Sequence, residues 1–99
     1  PWPIGILSNL DQRLPRRMIS FLRDEGLLVG DNEPYSGDGI YGYTVQQHAD
    51  PRGLTNVIVE LRQDLVDTPH GVTEWADRLE RALDASLDDP QMLQRVVAA

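Results

Sequence analysis

The chain has 99 residues, which is one domain's worth at most. Its 16 acids against 9 bases give a net charge of −7, and that excludes the basic footprint a nucleic-acid binder needs. With no cysteine there is no disulfide framework or thiolate metal site, and no apolar run approaches the roughly 20 residues that span a bilayer.

No signal-peptide pattern opens the chain, so a cytoplasmic protein is expected. It begins Pro1-Trp2-Pro3 without an initiator methionine and reads as a piece of something longer. Ile4-Gly5-Ile6-Leu7 is a short apolar run closed by Ser8-Asn9, the pattern of a buried strand. Asp11 is placed to cap a helix whose first turn tolerates Pro15. Leu14, Met18, Phe21 and Leu22 form its apolar stripe. Gly26 ends that helix in the left-handed conformation, and Leu27-Leu28-Val29 is a second strand. Residues 35 to 42 read as a loop. A short helix is expected over Tyr43 to Asp50, stopped by Pro51-Arg52-Gly53. The third strand spans about Asn56 to Arg62. Thr68-Pro69 starts a helix with proline at its first position, and Val72, Trp75, Ala76, Leu79, Ala82 and Leu83 are its stripe. Asp89-Pro90 begins a tail helix carrying Leu93, Val96 and Val97.

Strands that alternate with helices and are apolar over most of their length predict a single three-layer α/β unit. In it a mostly parallel sheet is covered by helices on both faces, Trp75 and Leu79 on one, Met18 and Phe21 on the other. In such sheets ligands bind beyond the carboxyl ends of the strands. Parallel strands would gather Asn9, the Asp31-Asn32-Glu33 run, Glu60 and Arg62 on one edge.

Glu60 stands out there. It shares a strand face with Arg62, about 7 Å away at Cα. A carboxylate partly withdrawn from water is suited to general-base work; the alternative is a structural ion pair with an arginine. Asp64 reads as a turn or capping residue. His48 and His70 lack metal-ligand spacing. His48 shares a helix face with Thr44 and can point into a site, whereas His70 faces solvent. Gly37-Asp38-Gly39-Ile40-Tyr41-Gly42 matches the glycine pattern of dinucleotide-binding loops. It lacks the strand that should run into its first glycine and the long helix that should follow, so a loop over a site is the better reading.

Four stretches, "GILSNLDQR", "VGDNEPYSG", "GYTVQQHADPRGL" and "VIVELRQDL", occur in the order found in the C-terminal part of the N-formylglutamate amidohydrolase family. The chain resembles that family from about Ile4 to Leu87; residues 88–99 form a tail outside the resemblance. The resemblance implies a fold like that of the zinc carboxypeptidases. It also implies a hydrolase using a divalent metal, zinc in the first instance, that cleaves an N-formyl amide to formate and an amino acid. The metal would activate a water and polarise the carbonyl. Glu60 matches the position of the general base, and Arg62 would bind a substrate carboxylate or orient Glu60. Asn9, Asn32, Glu33, Tyr35, Tyr43 and His48 lie in the other motifs as substrate contacts. Family members are much longer, and their metal-binding histidines and acid precede the segment equivalent to Ile4. The chain is therefore expected to take part in hydrolysing an N-acyl amino acid but to be inactive alone. Two other functions compete: a non-catalytic module binding a carboxylate or nucleotide, and a remnant whose sheet edge pairs with a partner chain.

Overall fold

The computed structural model describes residues 2–33 and 45–96. Strand β1 (Ile4–Leu7) is followed by helix α1 (Arg13–Asp24), strand β2 (Val29–Asp31), strand β3 (Ile58–Leu61) and helix α2 (Pro69–Ser86). A π-helical turn (Val45–Ala49) and 3-10 turns at Asp50–Arg52, Gln63–Leu65 and Pro90–Leu93 complete the described elements. No helix among the described residues is long and apolar enough to cross a membrane.

The sheet has the order β2-β1-β3. β1 and β2 are parallel, as expected, but β3 runs antiparallel to β1. The sheet is mixed, which corrects the mostly parallel arrangement. A second correction concerns the layers. Ile4, Ile6 and Val29 on the sheet, Leu14, Met18, Ile19 and Leu22 on α1, and Trp75 and Ala82 on α2 belong to one core cluster. Phe21 and Leu79 pack against the same cluster. Among the described residues both α-helices therefore cover one face of the sheet, which corrects their expected placement on opposite faces. Alternation along β1 sends Gly5 and Leu7 to the other face; Leu7 is fully buried, yet outside that cluster.

Local signals hold where they rest on backbone chemistry. Gly26 closes α1 at φ 90°, and Leu27 N–H donates to the Leu22 carbonyl at 3.2 Å, the six-to-one bond of a left-handed helix stop. Thr68 Oγ1 accepts from Gly71 N–H at 3.0 Å, capping α2 ahead of Pro69. Asp11 is not the cap of α1, which is Gln12; its Oδ1 instead accepts the Arg13 N–H at 3.0 Å. β2 lies two residues later than expected. The stripe of α2 is rotated as well: Gly71, Trp75, Ala82 and Ser86 are buried, whereas Val72 is 51% exposed. Two ion pairs to Glu25, from Arg78 at 3.6 Å and Arg81 at 3.4 Å, tie α2 to the end of α1.

Candidate functional site

At the end where β1 and β2 finish, polar side chains close on one another. Asn32 adopts φ 54°, a left-handed conformation that asparagine tolerates better than most residues. In that turn its N–H donates to the Ile6 carbonyl at 2.9 Å. Its Oδ1 accepts the Ser8 N–H at 2.8 Å, and its Nδ2 donates to Ser8 Oγ at 3.2 Å. Asn9 Nδ2 donates to Asp50 Oδ2 at 2.9 Å, and Asn56 Nδ2 to Asp50 Oδ1 at 3.4 Å. Asp50 thus joins the exit of β1 to the approach of β3, a role the local sequence pattern does not announce. Beside this network lies a cavity of about 350 Å³ bordered by Leu10, Arg13, Leu54 and Val96. Its arginine is fully engaged: Nε and Nη2 donate to Asp11, and Nη1 to the carbonyls of Gln91 and Gln94. Hydrogen bonding to Arg13 holds the Asp11 carboxyl below its ordinary range.

The carboxyl end of β3 lies elsewhere. Glu60 pairs with Gly5, near the start of β1, whereas Asn9 follows the other end of that strand. At about 3.3 Å per residue the two are separated by roughly 13 Å along the strand. The expectation that Asn9, Asn32, Glu60 and Arg62 share one edge is therefore corrected, and the cause is the reversed direction of β3.

Directly paired residues share a sheet face, so Glu60 lies on the face of Gly5, away from the helices. It is half-buried, and among the described residues its carboxylate has no hydrogen-bond or ion-pair partner. Arg62 continues the ladder by donating its N–H to the Pro3 carbonyl at 3.0 Å. Its side chain does not turn to Glu60; Nε donates to Asp64 Oδ1 at 2.6 Å. That bond pushes the Arg62 guanidinium up and the Asp64 carboxyl down from their ordinary ranges. An Arg-x-Asp spacing leading out of a strand is the signal that identifies Asp64 as this partner.

Glu33 is exposed. Tyr35, Tyr43 and the glycine run Gly37–Gly42 lie outside the described residues. His48 is exposed, and its carbonyl accepts from Arg52 Nη1 at 3.0 Å. Among the described residues no group of three or more His, Cys, Asp or Glu could hold a metal ion.

A model of the N-formylglutamate amidohydrolase family matches residues 1–67, which include the three described strands. No curated protein matches the chain. Among solved structures, a crystal structure of a gene product from Agrobacterium tumefaciens is similar, with a TM-score of 0.84 and 31% identity. The match covers 91% of this chain and 36% of that one, so the chain spans about a third of that neighbour's length. The chain belongs to the N-formylglutamate amidohydrolase family.

Proposed function

We propose that this chain supplies the general-base side of an amide-hydrolysing site, with Glu60 as the base and an N-formyl amino acid as substrate. The observation that carries the proposal is a carboxylate without a partner among the described residues: half-buried, at the end of a strand within the matched span, with its arginine neighbour bonded to another acid. In that role Glu60 takes a proton from the water that adds to the formyl carbon and delivers it to the leaving nitrogen. The carbon–nitrogen bond breaks, and formate and the amino acid separate. Arg62, held through Nε, keeps its Nη groups for a substrate carboxylate.

The described residues do not build the zinc site that the family implies. In this proposal the metal ligands come from protein outside the chain, in keeping with the third of the neighbour's length that the chain spans.

Glu60→Gln in a longer protein containing this chain tests the assignment. Loss of a general base lowers kcat by about a hundredfold or more, with KM within about threefold of its original value. Residues 1–99 alone, supplied with zinc, should turn over no N-formyl amino acid. Full activity in the glutamine variant refutes the assignment.

A further inference from the structure

We infer that Asp64 is a positioning residue: it draws the Arg62 guanidinium toward the 63–65 turn and so keeps it off the Glu60 carboxylate. The two residues would otherwise find each other. Arg62 is extended, at φ −64° and ψ 130°, and its N–H continues the β3 ladder onto Pro3. Glu60 and Arg62 therefore sit two apart on one face, about 7 Å between Cα atoms, within reach of a flexible arginine and a glutamate. The residue across from Glu60 is Gly5, which offers no side chain to separate them.

The 3-10 turn Gln63–Leu65 brings Asp64 back toward Arg62; the turn closes with Leu65 N–H donating to the Arg62 carbonyl at 3.0 Å. Asp64 then takes Nε at 2.6 Å. The pair is exposed, 47% for Arg62 and 61% for Asp64, so it selects a direction for the guanidinium rather than supporting the fold. The consequence for turnover rests on Glu60 being the base, but the geometry is open to test without turnover.

Crystal structures and side-chain NMR spectra of residues 1–99 and its variants decide it. In Asp64→Ala, Arg62 Nη is expected within about 4 Å of the Glu60 carboxylate, with Arg62 Nε–H exchanging with water about threefold faster or more. The Glu60 carboxyl carbon resonance, read at one pH, should shift with it. Asp64→Glu, which keeps a carboxylate within reach of Nε, should restore both signals. Arg62→Gln combined with Asp64→Ala should return the Glu60 resonance alone. An Arg62 that stays away from Glu60 in Asp64→Ala, with the resonance unmoved, overturns the inference. That outcome is distinct from an active Glu60→Gln enzyme, which overturns the assignment of the base instead.

Discussion

Glu60 stands beside Gly5 in the antiparallel β1–β3 ladder, facing away from the layer that α1 and α2 form on the sheet. A reversed last strand brings its final residues back to where β1 begins. The two ends of the sheet consequently differ in kind. One end is closed by amide side chains bonded to backbone and to Asp50; the other presents a carboxylate without a partner among the described residues. Polar groups already engaged with one another are suited to holding strands, and an unengaged one is suited to meeting a substrate.

Asn9→Ala separates these roles. The substitution removes the 2.9 Å bond to Asp50, for which a stability loss of about 1 kcal/mol is expected. Because Asn9 lies far from Glu60, kcat/KM of a longer protein carrying the change should stay within about threefold of the original. Urea unfolding alongside steady-state kinetics reads both. A catalytic loss like that of Glu60→Gln would move the site to the other edge.

Asn32 should be costly to replace, and in a definite order. Ser8 is 3% exposed, so removing the Asn32 Oδ1 acceptor leaves a buried N–H unsatisfied, a loss of about 1–3 kcal/mol. Alanine adds about 1 kcal/mol or more for the left-handed backbone, and glycine escapes that part. Aspartate keeps both the acceptor and the conformation. Urea midpoints should therefore fall most in Asn32→Ala, less in Asn32→Gly and least in Asn32→Asp, with unchanged slope.

Acid should loosen the tail through Asp11. Its carboxyl is held below the ordinary value of 3.8 by hydrogen bonding to Arg13, the arginine that also clamps the carbonyls of Gln91 and Gln94. A folded value lower than the unfolded one means the contribution is fully present above about pH 4 and fades as pH falls through the folded value. Asp11→Asn should be less stable at neutral pH and should lose less on acidification below pH 4. Thermal melts of both proteins between pH 3 and 7 check the sign.

Which features the sequence discloses follows from what each depends on. Gly26, Thr68 and Pro69 act within a turn of their own backbone, so their roles are readable locally. The direction of β3 is not. Val57-Ile58-Val59 is apolar on both sides, like a strand buried in a parallel sheet, and nothing in the run records which way it faces its neighbour. The stripes of α1 and α2 reveal that each helix buries a face, but not that both bury it on the same side of the sheet. Asp50 reaches Asn9 across 41 positions, beyond any local pattern. The charge of Glu60 at the strand end is local, and the company it keeps is topological.

The two ends of α2 should respond with opposite sign to the same small change. Alanine is favoured over glycine inside a helix by about 1 kcal/mol, yet Gly71 is buried against backbone. A Cβ there would collide with the Leu65 carbonyl oxygen and lie 3.2 Å from Thr68 Oγ1, the capping atom. Overpacking of that kind costs about 1–3 kcal/mol, so Gly71→Ala should lower the urea midpoint despite the better helix former. At the other end Ser86 is 2% exposed, and its hydroxyl oxygen has no hydrogen-bond partner among the described residues. Ser86→Ala removes an unsatisfied buried group at almost constant volume and should raise stability by about 1 kcal/mol. Equal signs for the two substitutions would mean that helix propensity, rather than the packing of α2 against the 63–65 turn and α1, governs this helix.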